Sequence, residues 1–337
     1  MKNKKALLFF FFLFGGIALF INSLIHSGFG EIWNSLRHFS ALNFMLFIGV
    51  SFFNFYLYSL RWSLILHALS PEKKVSQMAS FLHRMAGFSL SYVTPVAQLG
   101  GEPIRVLLME EEGISRKVAV NSVVIDKALE LAALIVFIVL GMVAALADGT
   151  VPLGAKGFLW AFIVLMLLLI FWFYYTSIKN IGFISSIFKF LRLNKVRRLE
   201  KLDLKIHTFE QEMNTFYREH PKTLYQLVVI SIATTAFILL EHYMVGKFLG
   251  VDLTFFQIFL SSTIPYLAYL LPVPGGLGVL ESGHAAIFAL LGVSVNVFVF
   301  VLIIRLRDLF FVAIGLIHAS KRGLTMLKKE FKNDFVE

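Results

Sequence analysis

The chain has 337 residues, 58% of them hydrophobic and 15% charged, with a formal net charge of +10 and no cysteine. A mean hydropathy of +0.78 excludes a soluble domain built around one large core and points to a polytopic membrane protein. The missing thiols exclude disulfides, thiolate metal sites and thiol chemistry.

Lys2, Lys4 and Lys5 precede an apolar run over residues 6–25, long enough to cross a hydrocarbon core of about 30 Å. No small-x-small cleavage site follows it, so it reads as an uncleaved first helix. A polar stretch over 26–40, with Glu31 and Arg37, falls outside. A second helix over about 41–60 is expected to end at Arg61 and Trp62, a snorkelling cation beside an interfacial aromatic. Pro71-Glu72-Lys73-Lys74 returns the chain to the inside. Residues 75–108 are apolar but interrupted by S-Y-V-T-P-V-A-Q-L-G-G-E-P-I-R (91–105), which predicts a re-entrant hairpin entering and leaving on the inside. A third helix over about 118–147 carries Asp126, Lys127 and Glu130 in its first half, and an outside turn at 148–156 leads to a fourth over about 157–178.

The long polar connection, 179–222, holds ten Lys or Arg against five Asp or Glu. Within it Leu199, Leu202, Ile206, Phe209, Met213 and Phe216 recur at steps of three and four, predicting an amphipathic helix on the inner leaflet or under the bundle. That helical period is not the aromatic interleaving of a nucleic-acid surface, so no nucleic-acid partner is expected. A fifth helix over about 223–249 contains Glu241 and His242. A second broken segment over about 255–291 enters and leaves on the outside. A sixth helix over about 295–319 carries Arg305, Arg307 and Asp308 and delivers a basic tail from Lys321. On this topology 24 of the 31 Lys and Arg lie inside, only Arg37, Lys156 and Lys247 lie outside, and Arg84, Lys127, Arg305 and Arg307 fall within the membrane. Such a bias assigns the charge to topology and puts both termini in the cytoplasm of a multi-pass protein of the cytoplasmic membrane. The fold expected is an all-α integral membrane domain over 1–337, with six transmembrane helices and two re-entrant hairpins.

The second broken segment contains L-P-V-P-G-G-L-G-V-L-E-S-G-H (271–284) between apolar runs. Irregular backbone cannot face lipid, because each unpaired N–H or C=O there costs several kcal/mol, so this stretch should lie inside protein or line a wet cavity. Pro272 and Pro274 end the arriving helix, and the glycines permit a turn before a new helix starts near 276–278, whose free N–H groups suit an anion. The two broken segments sit in halves of opposite predicted direction, about 41–147 and about 223–319. Landmarks match at a nearly constant offset: Arg61 with Glu241 at 180, and Pro95 with Pro274, Glu102 with Glu281 and Asp126 with Arg305 at 179. Matching breaks in inverted halves are the sequence pointer to a transporter's central site.

The runs P-x-x-x-x-G-G-E-P-x-R at 95–105 and P-x-P-G-G-x-G-x-x-E at 272–281 resemble those of the lysylphosphatidylglycerol synthase transmembrane-region family, over residues 7–321. The resemblance implies inverted, re-entrant-containing repeats and a role in moving lipids between leaflets. No residues here correspond to the soluble aminoacyl-transferase domain of the bifunctional members, so synthesis of the aminoacylated lipid is not expected of this chain.

Ionisable groups at membrane depth are costly and default to functional or paired roles. The candidate substrate-binding set is Arg61, Pro95, Gly100, Gly101, Glu102, Arg105, Asp126, Glu241, Pro274, Gly275, Gly276, Gly278, Glu281 and Arg305. In it the hairpin glycines and helix starts receive a lipid phosphate, Arg305 and Arg61 neutralise it, and Glu102 or Glu281 takes a head-group cation or a proton. Glu281 and His284 make one E-x-x-H step where a di-iron bundle needs two, so no metal is expected. The G-G-x-G at 275–278 lacks the lysine and Ser/Thr of a phosphate-binding loop, so no nucleotide cofactor is expected either. The function expected is transport of a phospholipid or polyprenyl-phosphate-type lipid, without enzyme chemistry. The alternatives are an intramembrane lipid-modifying enzyme and a scaffold subunit of one. The partners expected are membrane lipids with an anionic phosphate, with a homo-oligomer or a lipid-synthesising enzyme left open.

Overall fold

The computed structural model describes residues 40–94, 99–148, 153–178, 200–263 and 273–334, together with a few isolated positions. In chain order the helices are α1 (Ala41–Leu69), α2 (Gln77–Val93), α3 (Glu102–Glu111), α4 (Arg116–Asp148), α5 (Leu153–Ile178), α6 (Glu200–Glu219), α7 (Pro221–Phe248), α8 (Phe255–Thr263), α9 (Val279–Leu290) and α10 (Val297–Asp334), with a 3-10 turn at Pro274–Gly276 before α9. Helices joined by short turns make up the described residues, with no strand among them. Of the expected first helix only Ala18, Phe20, Ile21, Asn22 and Ile25 are described, each helical; its other residues, Pro95 and Pro272 lie outside the described residues.

Local chemistry sets the helix starts. The Ser40 hydroxyl accepts from the Leu42 N–H at 3.2 Å and the Ser76 hydroxyl from the Ala79 N–H at 3.1 Å, each satisfying a donor that a first turn leaves open. Pro221 begins α7, where its missing N–H is no loss. Gly278, at φ 75°, precedes α9 in a conformation that only glycine adopts freely.

Among the described residues three helices, Ala41–Leu69, Arg116–Ala147 and Pro221–Phe248, are long and apolar enough to cross a membrane. Large apolar side chains such as Leu42, Phe158, Leu168, Phe171 and Ile232 stand exposed on the outside of the bundle, while Arg61, Asp126, Glu241 and Glu281 are buried within it. A lipid surround makes both observations reasonable.

The second helix departs from the sequence expectation. It does not end at Arg61 and Trp62 but continues to Leu69, and both residues are fully buried. Arg61 finds its counter-ion inside the bundle and has no reason to snorkel. Together with the buried Arg105 it therefore leaves the cytoplasmic tally of positive charge, whose sign is unchanged. The last helix likewise runs on through the basic tail to Asp334.

The broken segment at 75–108 resolves into α2 and α3, and that at 255–291 into α8, the 3-10 turn and α9. Contacts between elements repeat across the chain. The helix α3 packs on α4, and α9 packs on α10; α8 also lies against α4 while α2 lies along α10; and α1 lies along α7. The α2–α10 seam is tight because Gly315 leaves room for Ser89, whose hydroxyl donates to the Val312 carbonyl at 3.0 Å; a methyl group on Gly315 would sit 2.0 Å from the Ser89 oxygen. The amphipathic helix expected within 179–222 is α6, which turns buried Met213 and Phe216 toward Ile65, Ile125 and Leu227. The side chains of Leu199, Leu202, Ile206 and Phe209 lie outside the described residues.

Candidate functional site

A cavity of about 200 Å³ opens where α1, α2, α3, α4, α7 and α10 meet. Its ionic lining is Arg61 from α1, Arg84 from α2, Glu102 and Arg105 from α3, Lys127 and Glu130 from α4, Glu241 from α7, and Arg307 and Asp308 from α10. Beyond Glu130 the α4 face turns apolar, with Leu131, Leu134 and Phe137 lining the cavity across from Ile238 of α7.

Asp126 lies just behind this lining, fully buried, and organises the first half of the chain. Arg61 Nε donates to its Oδ1 at 2.9 Å, Arg105 Nη2 to its Oδ2 at 2.7 Å, and Arg84 Nη1 to the same Oδ2. One carboxylate thus gathers three guanidinium groups from three helices. Arg84 also donates to Glu130 at 2.7 Å, Arg105 to Glu102 at 2.8 Å, and Lys127 to Glu130 at 2.7 Å. The guanidinium of Arg105 lies 4.1 Å from the Trp62 ring, and Arg61 and Arg84 lie within 5.2 Å and 4.9 Å of the Tyr58 ring. Arg105 reaches Asp126 by crossing Gly87, since a methyl group there would sit 2.6 Å from its Cγ. Four cations (Arg61, Arg84, Arg105, Lys127) face three carboxylates (Glu102, Asp126, Glu130), leaving one positive charge in excess.

The second half carries its own cluster. Arg305 clasps Glu281 through two donors, with Nη2 at 2.9 Å from Oε2. The same guanidinium donates to the Gly275 carbonyl at 2.9 Å, the Gly276 carbonyl at 3.3 Å and the Tyr92 hydroxyl at 3.2 Å, so it ties the 3-10 turn to α2. Gly275, at φ 55°, packs so closely on Tyr92 that a Cβ would lie 2.8 Å from the ring. Arg307 donates to Glu241 and, at 2.7 Å, to Asp308. Here two arginines face three carboxylates, one negative charge in excess.

Of the residues singled out from sequence, Arg61, Glu102, Arg105 and Glu241 line the cavity. Asp126 supports it from behind. Gly100 and Gly101 make the turn into α3, where the Gly101 N–H donates to Ser91 Oγ at 2.9 Å. Pro274, Gly275, Gly276, Gly278, Glu281 and Arg305 lie at the 3-10 turn, the start of α9 and the facing part of α10, and do not line the cavity. Pro95 lies outside the described residues. Arg84, Lys127, Glu130, Arg307 and Asp308 were recognisable in the sequence as membrane-depth charges but not as parts of one site. Tyr58, with nothing in the sequence to mark it, lines the cavity beneath two guanidinium groups. Among the described residues no group of three or more His, Asp or Glu is placed to hold a metal ion.

The sequence profile described as the lysylphosphatidylglycerol synthase TM region matches residues 6–315. The chain belongs to that family. It is therefore an integral membrane protein of a family related to lipid handling. A "UPF0104 membrane protein" of Methanothermobacter thermautotrophicus is 26% identical over 308 residues, covering 88% of each chain. No solved structure matches. The family match spans both ion clusters and every residue that lines the cavity, so the site belongs to the family's domain and not to an appended segment.

Proposed function

We propose that this protein moves a phospholipid or polyprenyl-phosphate-type lipid between the leaflets of the cytoplasmic membrane. In this reading it has six spanning helices, two re-entrant hairpins (α2–α3 and α8–α9) and cytoplasmic termini, and the halves 41–147 and 223–319 form an inverted repeat in one domain. The observation that carries the reading is the two-part lining of the cavity. Guanidinium, ammonium and carboxylate groups from α1 to α4 give way along α4 to Leu131, Leu134 and Phe137. A lipid has the same order of chemistry, head group then chains. The excess positive charge around Asp126 suits a phosphate, with Arg84 and Lys127 exchanging a carboxylate partner for a phosphate oxygen. Family membership supports the lipid, and the absence of a nucleotide-binding motif from the sequence makes the movement downhill, ion-coupled or partner-driven. The protein itself acts without chemical change to its cargo.

The test is translocation of head-group-labelled lipids in reconstituted vesicles, with mass spectrometry of the lipids before and after. Arg84→Ala and Glu130→Gln are expected to slow translocation at least about tenfold, the equivalent of about 1.4 kcal/mol. Rates equal to wild type in both variants would remove the cavity from the mechanism. A product of altered mass would instead identify a lipid-modifying enzyme.

A further inference from the structure

We propose that His284 is a proton-binding site whose occupancy draws Glu281 away from Arg305 and so releases the turn at Pro274–Gly276 from Tyr92. His284 is buried to 1% exposure in the second turn of α9, one turn after Glu281. Its Nδ1 lies 2.9 Å from the Leu280 carbonyl. A carbonyl can only accept, so Nδ1 carries the hydrogen and Nε2 presents a bare lone pair. That Nε2 has no hydrogen-bond partner among the described residues. A buried acceptor left unmade costs roughly 1–3 kcal/mol, a cost that an apolar side chain in its place would avoid.

The surroundings point to the ligand. Phe288 and Phe300 pack against the His284 ring, and the His242 ring of α7 lies parallel to it at 5.9 Å and 7°. The charged groups about this pair are Glu281 on α9 itself, Glu241 on α7, and Arg305, Arg307 and Asp308 on α10; α8, also packed on α9, carries none. Two arginines against three carboxylates leave one negative charge in excess, which one proton neutralises. Two imidazoles at this separation do not both take a charge, so the site holds one proton. The pair lies close to the cavity, because Glu241 lines it and its neighbour His242 stacks on His284.

The proton arrives from cavity water and the Nε2 lone pair becomes an N–H. The imidazolium then competes with Arg305 for Glu281, its i−3 neighbour on the same helix face. Arg305 joins Glu281, the Gly275 and Gly276 carbonyls and the Tyr92 hydroxyl, so loosening it frees the turn from α2. The inference goes beyond lipid movement and stands or falls without it.

Because the chain has no cysteine, two introduced cysteines can be spin-labelled alone. Val93→Cys on α2 and Leu271→Cys before the turn are both at exposed positions. Their separation is measured by electron–electron double resonance in lipid nanodiscs from about pH 8 to about pH 4, a span extended on the acid side because apolar burial disfavours a charged imidazole. The distance is expected to lengthen by several ångströms on acidification, and His284→Phe and His284→Gln, each checked for folding by size exclusion, are expected to abolish the change. His318→Gln, in the separate His83–His318 pair, is expected to retain it. A wild-type distance that ignores pH overturns the proposal. So does a pH response that survives both His284 variants and disappears in Glu241→Gln, which would seat the proton on that carboxylate. Because no cargo is needed, failure here is distinct from failure of the translocation assay.

Discussion

Asp126 is the residue on which the first half turns. Three guanidinium groups in a medium of low dielectric would repel one another strongly; one carboxylate at their centre converts that repulsion into a junction of α1, α2, α3 and α4. Removing one member of a buried ion pair costs about 3–5 kcal/mol, chiefly from the charge left behind. Asp126→Asn keeps the size but leaves three cations short of their shared anion, so a fall in stability of at least that size is expected in detergent, read as the midpoint of thermal unfolding. Arg105→Lys is expected to do less harm to stability but to lose both the stacking on Trp62 and one of two simultaneous contacts, to Asp126 and Glu102. A melting point for Arg105→Lys lower than that of Asp126→Asn would contradict this ordering.

At the scale of elements, small residues decide how close the helices come. Gly87 and Gly101 bring α2 against the start of α3 backbone to backbone; a Cβ on Gly101 would lie 1.7 Å from the Gly87 carbonyl oxygen. No rotamer relieves a clash with main chain, so Gly101→Ala is expected to cost at least the roughly 1–3 kcal/mol of an overpacked core, seen as lost yield of folded protein. Phe216 of α6, buried among Ile65, Ile125 and Leu227, is expected to cost about 3–5 kcal/mol on truncation to Ala, which would establish that α6 is docked on the bundle and not merely tethered to it.

These elements also mark how far the sequence could be read. Apolar runs and polar breaks located the helices and both interrupted segments, because length and Pro/Gly punctuation are local signals. The end of α1 was misplaced because Arg61 looks like an interface anchor until Asp126, 65 positions later, is brought beside it. The same limit applied to Arg84 and Lys127: their charge was evident, their convergence on one cavity was not, since it depends on helix packing that no local pattern encodes. Tyr58 gave no signal at all.

Across the whole molecule the two halves use the same helix pairs with the signs exchanged. Arg61 on α1 meets Asp126 on α4, whereas Glu241 on α7 meets Arg307 on α10; Arg105 on α3 meets Asp126 on α4, whereas Glu281 on α9 meets Arg305 on α10. Glu241→Gln and Arg307→Gln are each expected to destabilise the protein, and the double variant by less than the sum, with a coupling of roughly 0.5–3 kcal/mol in a double-mutant cycle. Strict additivity would mean that the pair does not act as a unit.

The exchange of signs also sets the total. One positive charge in excess around Asp126 and one negative in excess around Arg305 and Arg307 cancel, six cations against six carboxylates in the two clusters. Carrying a single elementary charge across a membrane potential of 100 mV takes about 2.3 kcal/mol. An ensemble that sums to zero contributes no net charge to such a movement, so under the transport proposed above, and with His284 unprotonated, the rate without cargo is expected to be the same in an energised and a de-energised membrane.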